Sequence, residues 1–311
     1  MRILLLGANG QLGRSFIDDG GLAACGNLTA ASRDGQRFDG GHADVADLSK
    51  PATLPPLLDQ LQPQIIINAA AYTAVDRAEQ EEALATRVNG EAVGVLGDWA
   101  AQHSALVLHY STDYVFDGAA STPYPVDAPT SPLGAYGRSK LVGEQALRAS
   151  GADHLILRTA WVYAPHGQNF LRTMLRLGAE REELRVVADQ HGAPTSTALI
   201  VRGTLAALDT WLSAAGDQRP ALQGTHHLVA SGHTSWYGFA RAIFDAAHAS
   251  ALLTRTPRVA PIDTAQFPTP AKRPAWSVLD NSGFERRFGY ALPSWHDGLP
   301  PVIASLSHQV R

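Results

Sequence analysis

Short, nearly unbroken apolar runs recur along the first half of the chain, each closed by a small or polar residue. Ile3 to Leu6 stops at Gly7, and Ile65 to Ile67 stops at Asn68-Ala69-Ala70-Ala71. Leu106 to Leu108 leads into His109-Tyr110-Ser111-Thr112, and Leu155 to Leu157 leads into Arg158-Thr159. Apolar runs of that length without polar alternation suit strands covered on both faces. Between them, Glu79 to Gln102 and Tyr136 to Arg148 read as helices, and Leu28 to Ala31 reads as a further strand. Strand alternating with helix predicts an α/β fold built on a doubly wound parallel sheet. The last third loses this rhythm: Pro257, Pro261, Pro268, Pro270, Pro274, Pro293, Pro300 and Pro301 crowd it. A smaller, loop-rich C-terminal lobe closing over the sheet is expected there, with a substrate cleft at the junction.

Composition narrows the function classes. With 311 residues, 45% of them apolar, the chain can bury one large core and a satellite, hence one or two domains. A net charge of -4 leaves no cationic excess for nucleic acid or an anionic membrane surface. Cys25, the single cysteine, excludes an internal disulfide framework, fits a reducing cytoplasm, and reads as a small buried hydrophobe. The apolar stretch after Met1-Arg2 ends at Gly7, too soon for a signal peptide, and no run approaches the roughly 18 residues of a membrane span. A soluble cytoplasmic protein is the expectation.

Chemistry enters at Gly7-Ala8-Asn9-Gly10-Gln11-Leu12-Gly13, where glycines recur directly after the first strand. Glycine permits the tight turn, lets a pyrophosphate approach the backbone, and lets the next helix pack closely, so that its N-terminal amides face the phosphates. In that position the motif predicts a Rossmann-type dinucleotide site rather than a merely structural turn. The expected division is a nucleotide-binding domain of residues 1–165 with 196–228, and a substrate lobe of 166–195 with 229–311. The second strand ends in Ser32-Arg33, where a carboxylate would favour NADH. A guanidinium there suits the 2′-phosphate of NADPH, with Ser32 adding a bond, although Asp34 stands close enough to take the ribose instead. NADPH is therefore the expected cofactor, with NADH the alternative. The expected dinucleotide contacts are Gly7, Asn9, Gly10, Gln11, Leu12, Gly13, Ser32, Arg33, Asp44, Val45, Ala69, Ala70, Ala71, Tyr136 and Lys140.

Tyr136-Gly137-Arg138-Ser139-Lys140 puts a phenol and an ammonium four positions apart, on one helical face. The positive charge is expected to lower the tyrosine pKa and make it a usable proton donor. Alone, such spacing also describes an exposed helix face. Thr112, at the end of a buried strand where open α/β sheets bind ligands, supplies the hydroxyl that turns the pair into a candidate catalytic set.

Four segments carry a resemblance: Ser111-Thr112-Asp113-Tyr114-Val115-Phe116-Asp117-Gly118, Tyr136 to Lys140, Arg158-Thr159-Ala160-Trp161-Val162-Tyr163, and Asp189-Gln190-His191-Gly192-Ala193-Pro194-Thr195. With Asn68 to Asp76, Thr234-Ser235-Trp236 and Pro268 to Pro274, they are similar, almost end to end, to the dTDP-4-dehydrorhamnose reductases of the extended short-chain dehydrogenase superfamily. The resemblance implies Thr112, Tyr136 and Lys140 as catalytic residues. It also implies Thr112, Asp113, Tyr114, Tyr136, Trp161, Asn169, Gln190 and Arg273 as contacts of a dTDP-sugar. Without it, Trp161 reads as a core aromatic, Gln190 as part of a polar turn and Arg273 as a solvated charge. Some relatives are dimers bridged by magnesium through glutamates. Here Gly13-Arg14-Ser15 and Thr197-Ala198-Leu199 occupy those segments, so no metal site is expected, and the state is monomer or homodimer.

Two other functions remain to be weighed. A related sugar-nucleotide epimerase or dehydratase would return its hydride within one turnover, but dehydratases carry a second carboxylate where Tyr114 follows Asp113. A non-catalytic subunit resembling the regulatory subunit of methionine adenosyltransferase would bind a partner protein, but has no need of Thr112, Tyr136 and Lys140 together.

Overall fold

In the computed structural model, which describes residues 1–309, the apolar runs pair side by side. The strands in chain order are β1 (Arg2–Leu6), β2 (Asn27–Ser32), β3 (Asp44–Val45), β4 (Ile65–Asn68), β5 (Leu106–Thr112), β6 (His154–Thr159), β7 (Val162–Tyr163), β8 (Glu183–Val187), β9 (His191–Gly192), β10 (Thr195–Ser196), β11 (Gly224–His227), β12 (Thr234–Ser235) and β13 (Arg258–Ile262). Seven form one sheet, ordered β11-β6-β5-β4-β1-β2-β3, with every pairing parallel. Residues of β4, β5 and β6 are buried throughout, as their unbroken apolar character requires, with helices on both faces. The chain reverses its direction of strand addition between β1 and β4, which opens a crevice at their C-terminal ends.

The other strands form three short pairs: β7 with β10, β8 with β13, and β9 with β12. One apolar cluster runs from the sheet (Ile3, Leu5, Leu108) into the C-terminal helices (Phe239, Phe244, Ile303), so the later segments pack continuously against the strands.

Three local expectations are corrected. The stretch from Glu79 to Gln102 is not one helix but two, Glu82–Thr86 and Ala92–His103, joined by a π-turn at Arg87–Glu91, with the short helix Val75–Ala78 ending just before it. Tertiary bonds explain the interruption: Asn89, in the π-turn, is buried and binds the Tyr72 backbone at both its N–H and C=O, as well as Ser139. The proline-rich last third also holds more regular structure than its composition suggests, including the helices Trp236–Ala249, Ser282–Phe288 and Trp295–Gln309. Pro300 and Pro301 sit inside the last of these as exposed residues, and His296 and Asp297, whose carbonyls they cannot bond, are exposed as well. Cys25, expected to be buried, is exposed because the short helix Gly21–Cys25 turns only Leu22 inward.

Candidate active site

The crevice begins at the glycine turn. Gly7 has φ +81°, and a Cβ there would stand 2.6 Å from the Ala70 amide nitrogen. A Cβ on Gly13 would stand 2.1 Å from the Gly7 carbonyl oxygen, whereas one on Gly10 would meet the same atom at 3.3 Å. The helix that follows, Gln11–Asp19, has no side-chain cap and no acidic residue in its first turn. An uncapped amide terminus beside a cradle that any side chain would fill fits the pyrophosphate of a dinucleotide. Gly13→Ala is expected to weaken NADPH binding by more than about tenfold, and Gly10→Ala by only a few-fold, because overlap at van der Waals radii costs more than a tight contact. Fluorescence titration of both variants, with melting curves alongside, measures the difference; equal effects would show that the cradle is not set by Gly13.

Several expected cofactor residues take supporting positions. Asn9 does not offer its side chain to a ligand: the amide donates to the Gln36 carbonyl at 2.8 Å and accepts from the Phe38 N–H at 2.9 Å. The Ser32 hydroxyl is likewise spent on its own turn, on Asp34 at 3.0 Å and the Gln36 carbonyl at 2.8 Å. These bonds hold the 34–38 segment beside the glycine turn, with the Arg14 guanidinium 4.4 Å from the centre of the Phe38 ring. They also occupy Asp34, whose carboxylate is held below its usual range chiefly by the Ser32 hydroxyl and then by the Gln36 N–H. Arg33 is exposed at this corner, Val45 presents an exposed apolar side chain on the edge strand beside half-buried Asp44, and Ala69 to Ala71 line the way out of β4. Gln11 and Leu12 open the following helix.

The hydroxyls lie at the end of β5. The Thr112 hydroxyl donates to Asp113 Oδ1 at 2.9 Å and accepts from the Tyr114 N–H at 3.2 Å, and the Tyr136 phenol lies near enough for this hydroxyl to influence its acidity. Tyr136 comes from the helix Ala135–Ala149, whose approach depends on Gly137: a Cβ there would stand 2.2 Å from the Tyr114 carbonyl oxygen. Ser139, fully buried, ties the helix to Asn89 and to the Tyr136 carbonyl.

The expected electrostatic relation between Lys140 and Tyr136 is corrected. Burial pushes the Tyr136 phenol well above its ordinary value, with the Thr112 hydroxyl only partly opposing it. Lys140 turns inward instead, donating to the Tyr110 carbonyl at 2.5 Å and facing His109 Nε2 at 3.4 Å, and burial brings it down to about 8. The phenol therefore keeps its proton throughout the neutral range, which suits a donor. Asp113 is pushed up to about 6 by burial, which the nearby Ser277 hydroxyl and the Thr112 bond to Oδ1 only partly oppose.

On the outer side, Tyr114 stands edge-on to Tyr136 at 5.8 Å between ring centres. Arg273, from the Pro268–Pro274 segment, reaches the Tyr114 hydroxyl at 3.5 Å and pairs with Asp76 at 2.8 Å, drawing that segment over the hydroxyl cluster. Three other expected sugar-nucleotide contacts are tied back to the protein. Asn169 caps the helix Phe170–Glu180 by accepting from the Arg172 N–H, and its amino group is divided among Gln11, Ala164 and His166. Gln190 accepts from Trp236 Nε1 and donates to Thr264. Trp161, at φ +46°, stacks on Trp236 with 3.5 Å between ring centres, so one face is covered by protein. Sequence reasoning missed Asn89, Asp76 and Ser277 as members of this network; the interruption of a long helical pattern at Asn89-Gly90 was the one available signal. Ser15 and Thr197, from the segments where relatives carry glutamates, bond to each other at 2.8 Å.

A doubly wound parallel sheet, a glycine cradle at its switch point, and Thr112, Tyr136 and Lys140 gathered at the end of β5 define an extended short-chain dehydrogenase/reductase. The family model described as "RmlD substrate binding domain" matches residues 1–308. A dTDP-4-dehydrorhamnose reductase of Burkholderia thailandensis is 47% identical, over 99% of this chain and 100% of its own. Among solved structures, a dTDP-4-dehydrorhamnose reductase of Clostridium acetobutylicum superposes with TM-score 0.86 at 34% identity, covering 99% of this chain and 100% of its own. The Bacillus anthracis enzyme in complex with NADP superposes with TM-score 0.83 at 31% identity, covering 98% and 99%. The chain belongs to the dTDP-4-dehydrorhamnose reductase family.

Proposed function

We propose that the protein is a cytoplasmic enzyme that reduces the C4 ketone of dTDP-4-dehydro-L-rhamnose to dTDP-L-rhamnose, the final step in making that sugar donor, at the expense of NADPH or NADH. The observation that carries this reading is the meeting of the Thr112 hydroxyl and the protonated Tyr136 phenol at the strand end beside the glycine cradle. The names of full-length relatives, and the NADP bound in one of them, support it. When bound, the nicotinamide supplies the hydride, and the chain's own residues do the rest. Gly7, Gly10 and Gly13 leave room for the pyrophosphate, and the first turn of the Gln11–Asp19 helix faces it. Thr112 polarises the ketone oxygen, Tyr136 protonates it, and Lys140 holds the nicotinamide ribose. Tyr114 and Arg273 close the outer side of the sugar, excluding water.

The decisive experiment follows NADPH oxidation with dTDP-4-dehydro-L-rhamnose and identifies the product by NMR. Stoichiometric oxidation with formation of dTDP-L-rhamnose is expected. Conversion without net cofactor oxidation would assign the protein to the epimerases or dehydratases, and no turnover with a stoichiometric protein partner would assign it to the regulatory subunits.

The exposed Arg33, with Asp34 tied back to Ser32 and Gln36, favours NADPH over NADH. Arg33→Ala is expected to raise KM for NADPH about tenfold, roughly 1.4 kcal/mol, and barely to change that for NADH. A parent enzyme that prefers NADH, or a variant that loses both equally, contradicts the assignment.

A further inference from the structure

The interior partner of Lys140 carries information beyond its place in the active site. Asn68, at the end of β4, accepts the Ala70 N–H at Oδ1, 3.2 Å away. A backbone N–H can only donate, so this bond fixes which way the amide is turned. The Asn68 amino group must then be the atom that meets His109 Nδ1 at 3.1 Å, and Nδ1 must present a lone pair. His109 is buried, and burial holds its ring neutral. A neutral ring whose Nδ1 is an acceptor carries its proton on Nε2, and Nε2 faces Lys140 Nζ at 3.4 Å.

An ammonium has three donors and no acceptor, so a ring N–H aimed at it sets donor against donor. An amine has a lone pair for that N–H while still donating to the Tyr110 carbonyl, the shorter of its two contacts. Among the other ionisable groups around Lys140, Glu144 favours the ammonium, but burial outweighs it. Glu144, one turn further along the helix, has both oxygens engaged by Arg158, one of them also by Arg148. The Tyr136 phenol keeps its proton, the Tyr110 hydroxyl is bonded to Thr204, and Asp113 is turned to Thr112.

We propose that Asn68 and His109 are positioning residues that orient a ring N–H at the Lys140 nitrogen, so that the cofactor-free enzyme favours the amine form of this lysine and holds its proton more weakly than an exposed lysine would. The charged form is then strengthened when the anionic dinucleotide enters the crevice. The inference deepens the assignment of Lys140 to the nicotinamide ribose and rests on it for its consequence, but not for its test.

The chain has three lysines, Lys50, Lys140 and Lys272, of which Lys50 and Lys272 are exposed. In cofactor-free enzyme labelled with 13C-lysine, NMR titration should therefore show one midpoint displaced at least about one pH unit below the other two. Asn68→Asp keeps an acceptor for the Ala70 N–H but replaces the amino donor with a second acceptor, which moves the ring proton to Nδ1 and leaves Nε2 accepting. His109→Met removes the N–H without adding charge. Both should raise the Lys140 midpoint by about one unit or more, and agreement between them excludes a simple effect of the added carboxylate. A midpoint unmoved in either folded variant overturns the proposal. So does a parent enzyme whose His109 ring, observed by 15N NMR and assigned by its loss in His109→Met, carries the proton on Nδ1; that measurement needs no folded variant besides the one used for assignment. Failure of the catalytic reading would appear separately, as absence of NADPH oxidation in a parent whose Lys140 midpoint is displaced as expected.

Discussion

Tyr136→Phe is expected to lose at least ~100-fold in turnover with little change in the dissociation constant for NADPH, since a positioned general acid contributes 10²–10⁴. Only the hydroxyl is removed; the ring keeps its edge contact with Tyr114 and its seat beside Gly137. Burial holds the phenol protonated far above neutrality, so the parent's loss of activity at high pH should not track this residue. Stopped-flow reduction with parallel fluorescence titration of the cofactor separates the two effects. Activity within about threefold of the parent would remove Tyr136 as the acid, since no general acid of that weight could have been lost.

The second large effect is on stability. Glu144 is fully buried and receives Arg158 in a two-pronged pair, Nε to Oε1 at 2.9 Å and Nη2 to Oε2 at 2.7 Å, with Arg148 adding a third bond at 3.2 Å. Burial alone would push this carboxyl upward; the Arg158 bonds overcome it and hold it below its usual range. Arg158 is itself buried, gives its remaining bond to the Val126 carbonyl and lies 5.0 Å from the centre of the Phe116 ring. Glu144→Ala leaves that guanidinium without a counter-charge and should cost about 3–5 kcal/mol, whereas Glu144→Met with Arg158→Met should recover much of the loss, because desolvating the pair offsets most of its attraction. Urea denaturation measures both. A single-variant loss below about 1 kcal/mol would mean that water reaches Arg158 once the carboxylate is gone.

The parts of the site legible in the sequence share one property: each is specified within a few consecutive residues. Gly7, Gly10 and Gly13 declare a turn by the backbone room they leave, and Tyr136 and Lys140 share a helical face by period alone. Thr112 is placed by ending an apolar run. The same holds for the strand order's raw material, because β4, β5 and β6 announce burial on both faces by the absence of polar alternation. With the family resemblance, that was enough for the Rossmann sheet and the class of chemistry.

The partner of each polar side chain was decided only by the tertiary structure. Asn68 and His109 are separated by 41 positions, Gln190 and Thr264 by 74, and Arg273 and Asp76 by 197. No local pattern states that Asn169 spends its amide on a helix cap, that Trp161 stacks on Trp236, or that Lys140 turns towards Tyr110 and His109 rather than Tyr136. The sequence by itself therefore determined the sheet, the glycine cradle and the place of the candidate hydroxyls, since backbone period and steric room are local. Tertiary structure decided which polar groups remain free and which protonation states they keep, since desolvation and hydrogen-bond pairing exist only once distant segments meet.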